Sequence, residues 1–256
     1  MKLLDARHLF VDYGSFRAVD DLSFSIEAGT WLMIVGPNGA GKSTVLRALA
    51  QACNYRGDVI LEGANARRMK AAERARFMGM LMQSHFVGYA FSVEEVVRLG
   101  RYAHASGFLT RRLNREKDDQ AVFEALELTG MTEKRRQSVL TLSGGELQRT
   151  FLAQLLAQNP RLLLLDEPAN HLDLIYQKQI FSLISDWICQ EGRAVISVVH
   201  DLSLAKAFGT KAILMNKGKD IASGDVDEVL SPDHLDAVYG MDVGAWMRKM
   251  LDQWSQ

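Results

Sequence analysis

The sequence predicts an α/β fold with a mainly parallel core sheet, an antiparallel β part and an inserted helical subdomain. Three observations carry that expectation. Trp31–Val35 and Leu162–Leu165 are apolar throughout, and Val195–Val199 is apolar apart from Ser197, the pattern of strands buried on both faces of a parallel sheet. These runs alternate with longer segments of helical period. Between about Ser84 and Asn159 only helical patterns occur, with no β-type alternation.

In chain order, the opening MKLLDARHLFVDYG meets acids at Asp5 and Asp12 and so has no apolar core of a signal peptide. Leu22, Phe24 and Ile26 then alternate with Ser23 and Ser25, as in a strand with one wet face. After the Trp31–Val35 strand comes a glycine-rich turn and a helix expected over Val45–Cys53. Phe77–Met82 is a further candidate strand. Helices are expected over Val93–Arg101, Arg115–Leu128 and Leu147–Ala157. Near the end, AILMNKGKDIASG places Asn216-Lys217-Gly218 between two short apolar runs, a hairpin signal. In the closing GAWMRKMLDQWSQ, the residues Trp246, Met247, Met250, Leu251 and Trp254 share one helical face. Packing of that face on its own domain and contact with another subunit both remain open. The expected organisation is one domain: a core with its β part over 1–83 and 160–243, the helical subdomain over 84–159 and a C-terminal helix over 244–256.

Composition narrows the function. Of the 256 residues 48% are hydrophobic, enough to bury a sizeable core and to exclude a disordered scaffold. Thirty Lys and Arg against 31 Asp and Glu leave no basic field for a nucleic acid. Cys53 and Cys189 match no metal or redox spacing and are expected as reduced thiols. No run approaches the ~18 apolar residues of a membrane span, so a cytoplasmic location is expected.

Two motifs carry chemistry. The first, Gly36-Pro37-Asn38-Gly39-Ala40-Gly41-Lys42-Ser43-Thr44, follows an apolar strand and precedes a helix. That is the context of a phosphate-binding loop: glycines let backbone N–H groups converge on an anion, and the helix N-terminus adds partial positive charge. Lys42 is then expected to reach the β- and γ-phosphates, and the Ser43 hydroxyl to ligate Mg2+. In the second motif, Leu162–Leu165 ends in Asp166-Glu167. Carboxylates there stand at the sheet edge where open α/β folds bind ligands. Asp166 suits a Mg2+ ion held through water, and Glu167 suits polarising an attacking water.

Leu142-Ser143-Gly144-Gly145-Glu146-Leu147-Gln148-Arg149 narrows the choice among nucleotide hydrolases. Here the chain resembles the ATP-binding cassette (ABC) ATPases, whose signature reads LSGGQ. Tyr13, Gln83, Asn170-His171-Leu172-Asp173 and His200 fall at the family's other motif positions, so the resemblance covers essentially the whole chain. It implies a phosphate-loop ATPase fold, ATP and Mg2+ as ligands, and Tyr13 stacked on adenine. It implies Gln83 sensing Mg2+ and His200 placing the water with Glu167. Ser143, Gly144, Gly145 and Glu146 would contact ATP held by a second copy in a head-to-tail dimer, with Asp173 crossing that interface. Glu146 replaces the family's usual Gln. Ser143-x-x-Glu146 is also a capping box that turns the carboxylate back into its helix, and the two readings are compatible.

Three strings resemble one branch of the family, the importer ATPases for ferric siderophores, haem and vitamin B12: Val97–His104, His171–Gln177 and Ala237–Val243. That branch implies a peripheral subunit on the cytoplasmic membrane face. It would be bound to permease subunits, served indirectly by a substrate-binding protein, with no nucleic acid partner. The branch usually continues past the position of Val243 with β-like sequence, where this chain has a helical pattern. A soluble ABC ATPase, for instance of iron–sulfur assembly, and an ATPase subunit for another cargo are the alternatives.

Overall fold

The computed structural model describes residues 2–83, 88–104, 115–170 and 172–253. Ser84, His171 and Trp254, on which parts of the sequence reading fell, lie outside them. β1 (Lys2–Tyr13) and β2 (Phe16–Glu27) form a hairpin, and β3 (Trp31–Val35) then enters the core. α1 (Lys42–Leu49) follows, before β4 (Arg56–Leu61) and β5 (Ala64–Asn65) return to the other side of β1. α2 (Ala71–Phe77) runs into β6 (Met78–Leu81). Next come α3 (Val93–Leu99), α4 (Arg115–Leu128) and α5 (Gly144–Gln158). β7 (Leu162–Asp166), α6 (Leu174–Ile188), β8 (Ala194–Val198) and α7 (Leu202–Phe208) alternate. The hairpin of β9 (Lys211–Asn216) and β10 (Lys219–Asp225) precedes α8 (Val226–Val229), α9 (Pro232–Tyr239) and α10 (Val243–Asp252).

The six-stranded sheet runs β10-β9-β3-β8-β7-β6 and is parallel except for the β9–β10 hairpin. Every residue of β3, β7 and β8 is buried. The pleat divides them by alternation. Trp31, Met33, Val35, Leu163 and Leu165 face one apolar cluster, and Leu32, Ile34, Leu162 and Leu164 face the other. Ser197 is tolerated inside because the Trp31 indole N–H donates to its hydroxyl at 2.9 Å. The second cluster takes in Val45, Leu46 and Leu49 of α1 and the inner face of the antiparallel sheet β2-β1-β4-β5. The first takes in Val93, Val96, Val122, Leu126 and Leu152 of α3, α4 and α5. The helical stretch is thus packed on the core that holds the strands.

Several boundaries differ from the sequence reading. α1 starts at Lys42 and ends at Leu49, not over Val45–Cys53. The loop glycines end at Gly41, and Gln51 adopts a left-handed φ of 62° that stops the helix. Phe77 closes α2 and does not open β6. α5 begins at Gly144, three residues before the first apolar position, because the Ser143 cap sets its start. α10 divides its apolar face: Met247 packs on the main core, while Trp246, Met250 and Leu251 are exposed. Among the described residues no helix is long and apolar enough to cross a membrane.

Candidate functional site

The site lies beyond the carboxyl ends of β3, β7 and β8, where parallel strands deliver their loops to one rim. β3 runs into the glycine-rich loop, which only glycine can build at two positions. Gly36 has φ 141° and a Cβ there would meet the Met215 carbonyl at 2.1 Å; Gly41 has φ 100° and would meet the Ala18 carbonyl at 2.2 Å. The turn of the β9–β10 hairpin braces the loop, its Gly218 N–H donating to the Ala40 carbonyl at 3.0 Å.

Lys42 and Ser43 occupy the first turn of α1, where backbone N–H groups have no helical acceptor. The Lys42 ammonium donates to the carbonyls of Gly36 at 2.8 Å and Pro37 at 2.9 Å, and so is held at the loop mouth. Burial pushes it below the usual lysine range, opposed by the charges of Glu167 and Asp166. Ser43 donates its hydroxyl to Asp166 Oδ1 at 2.8 Å. Asp166 is only 2% exposed. Burial pushes its carboxyl above the usual range; the Ser43 bond opposes that, and the Glu167 charge adds to it.

Glu167, the next residue, has a left-handed φ of 53°, uncommon for a non-glycine residue and costly by about 1–3 kcal/mol. Its backbone N–H donates to the Val198 carbonyl at 3.1 Å, which ties the turn to the end of β8. Both carboxylate oxygens are engaged: Oε1 lies 2.7 Å from His200 Nε2, and Oε2 accepts from the Asn170 amide at 2.8 Å.

One cleft of about 640 Å³ is lined by Tyr13, Asn38 to Thr44, Gln83, Glu167 and His200, with Phe16 and Ala18 beside them. Gly36, Pro37 and Asp166 are not part of that lining but bond to it through Lys42 and Ser43. Phe16 and Asn170 are site residues that the sequence reading assigned no role. Phe16 faces Tyr13 across the hairpin register, a pairing visible only once β1 and β2 are aligned. Asn170 reaches Glu167 because the two residues sit on one turn, with Asn170 N–H bonded to the Glu167 carbonyl at 3.1 Å.

Ser143, Gly144, Gly145, Glu146 and Asp173 are not among the described residues lining this cleft. Ser143 caps α5 in a reciprocal box: Glu146 N–H donates to its hydroxyl at 3.4 Å, and Ser143 N–H donates to Glu146 Oε2 at 2.9 Å. Lys134 pairs with Glu146 Oε1. These bonds hold the Glu146 carboxyl down at about 2, the Lys134 bond being the largest cause and the Ser143 N–H the next. Asp173 caps α6, accepting from Tyr176 N–H at 3.0 Å. A buried bond joins α5 to the turn that carries Glu167: the Gln148 amide donates to the Pro168 carbonyl at 3.3 Å.

Comparison with known proteins agrees in sequence and in fold. The profile of the family described as ABC transporter matches residues 19–170. The chain is similar to the iron(3+)-hydroxamate import ATP-binding protein FhuC of Bacillus subtilis (strain 168), 38% identical over 243 residues, covering 94% of this chain and 89% of that one. It is 36% identical over 247 residues to the hemin import ATP-binding protein HmuV of Pseudomonas fluorescens (strain Pf0-1), covering 94% of each. Among solved structures it resembles an inward-facing conformation of a putative metal-chelate type ABC transporter. That match has a TM-score of 0.78 and 26% identity, over 94% of this chain and 90% of that one.

Proposed function

The chain belongs to the ABC transporter family of ATP-binding proteins, and on that premise we propose that it is the ATP-hydrolysing subunit of an importer for an iron complex or cobalamin. One observation carries the enzymatic part: Lys42, Ser43, Glu167 and His200 line a single cleft, with Asp166 bonded to Ser43.

The cleft fits a nucleoside triphosphate by its chemistry. Tyr13 and Phe16 offer aromatic faces at one end, and the loop N–H groups and Lys42 receive the phosphates. Ser43 and Asp166 supply the hard oxygen pair, a hydroxyl and a carboxylate, that Mg2+ takes alongside substrate phosphates. Gln83 is the third candidate for that ion. Bound there, Mg2+ would neutralise charge on the phosphate oxygens. Glu167, fixed from both sides by His200 and Asn170, orients a water on the γ-phosphorus and accepts its proton. The bond to the ADP oxygen breaks, and the products are ADP and phosphate.

The signature residues belong to a second site. Gly144 is exposed, and beyond its chain neighbours and its own helix backbone no atom lies within 4 Å of where a Cβ would be. Gly144 is the first residue of α5, and no contact outside its chain neighbours and its own helix backbone requires a glycine there. An approaching external group does. Two copies set head to tail would bring Ser143 and Gly144 to the ATP on the partner's phosphate loop, with Asp173 near the seam. Permease subunits at the cytoplasmic membrane face complete the assembly, and a substrate-binding protein feeds it.

The test replaces the native chain with Glu167→Gln in the source cells and offers labelled ferric siderophore, haem and cobalamin separately. The purified variant binds ATP and loses turnover by about 10²-fold or more, and one cargo fails to enter. Normal uptake of all three, in cells with no redundant ATPase, would reject the importer reading and bring a soluble ABC ATPase forward.

A further inference from the structure

Glu146 places a carboxylate at the first turn of α5, beside Ser143 and Gly144. On the head-to-tail reading above, on which this inference rests, that turn meets the partner's γ-phosphate. A bare carboxylate there would repel it. Protonation gives no relief, because the bonds that Glu146 makes favour its charged form.

The geometry offers another remedy. Lys134 ends a one-turn 3-10 segment, Thr132–Lys134, that follows α4. Its backbone N–H donates to the Met131 carbonyl at 3.1 Å, and Met131 is fully buried, so the lysine springs from a fixed base. Its ammonium takes Oε1 of Glu146, while Oε2 is held by Ser143 N–H. Both oxygens are turned towards the chain's own groups. The Ser143 hydroxyl accepts the Glu146 N–H and also bonds to the Glu146 carboxylate, so serine, glutamate and lysine form one cluster.

We propose that Lys134 is a positioning residue for the second half-site: it neutralises Glu146 and fixes it on Ser143 N–H, so that the signature turn can receive a γ-phosphate. A glutamine at this place would carry no charge to cancel. In this chain the carboxylate and its lysine act as one neutral unit.

The experiment uses the full chain in a Glu167→Gln background, with ATP as the probe and dimer mass as the readout. Lys134→Met should raise the ATP concentration for half-maximal dimerisation roughly tenfold, the scale expected of one uncompensated charge a few ångströms from a phosphate. The deficit should shrink towards 1 M salt, where screening reaches about 3 Å. Lys134→Arg should largely restore the parent value. In Lys134→Met with Glu146→Gln, the midpoint should return to that of Glu146→Gln alone. An unmoved Lys134→Met midpoint, with a parent that dimerises normally, would overturn the proposal alone. So would a double variant as weak as Lys134→Met, since Lys134 would then act independently of Glu146. Failure of the parent to dimerise with ATP would overturn the head-to-tail reading and this proposal together. Melting temperatures of all variants separate a folding loss, which salt would not repair, from the charge effect.

Discussion

Glu167 combines a left-handed backbone with a carboxylate bonded on both sides. The turn that strains it also supplies its support, since Asn170 closes back on Glu167 through both backbone and side chain. A hydrogen bond to a charged acceptor contributes about 1.5–3 kcal/mol, so loss of this one should be felt in orientation and not in binding. Asn170→Ala should lower kcat roughly tenfold or more with KM for ATP nearly constant. Steady-state kinetics decide this: an unchanged kcat would assign Asn170 to the turn alone. Lys42, Ser43, Asp166 and Glu167 were legible in the sequence because motif spacing and strand context fix their place. Asn170 as a support for Glu167 was not, since its role depends on a turn geometry that spacing does not encode. Phe16 likewise depends on strand register.

Among the elements, α5 depends most on its first turn. Glu146 is held at about 2 against an ordinary 4.5, and a lowered acid stabilises the fold above its unfolded value and loses that contribution as pH falls through the folded one. The cap should therefore weaken between about pH 4.5 and 2, and Glu146→Gln should remove that part of the acid sensitivity. Urea midpoints at about pH 5 and pH 3 test it: parallel losses in both proteins would detach Glu146 from acid stability. Ser143→Ala, removing the cap acceptor, should cost about 1 kcal/mol at neutral pH. Two elements were read well: α4 spans Arg115–Leu128 as expected, and the β9–β10 hairpin turns at Lys217 and Gly218, both with positive φ. β1 and β4 escaped notice for a physical reason. β1 is broken by bulges near Leu9 and Val11, so its alternation of buried and exposed residues slips out of register.

At the scale of the molecule, two apolar clusters sandwich one sheet, and the helical stretch joins the cluster on one face of it. The α/β class was legible because three strands are apolar on both faces, which only a covered parallel sheet satisfies. How the helices share that core was not, because it rests on packing between residues distant in sequence. ATP that binds the folded chain alone should raise its stability by about 2.7 kcal/mol at a hundredfold excess over Kd. A melting temperature indifferent to ATP would contradict nucleotide binding in the cleft.

The buried bond from Gln148 to the Pro168 carbonyl has a kinetic consequence. In a head-to-tail pair each subunit would grip its neighbour's nucleotide at Ser143 and its own at Lys42, and this bond links those two ends of one chain. Each protomer would then report on two nucleotides at once, so the rate should rise sigmoidally with ATP, with a Hill coefficient above one. Gln148→Met keeps the side-chain volume and removes the donor. It should flatten the curve towards a hyperbola while the dimer still forms, leaving two sites that hydrolyse without regard to each other.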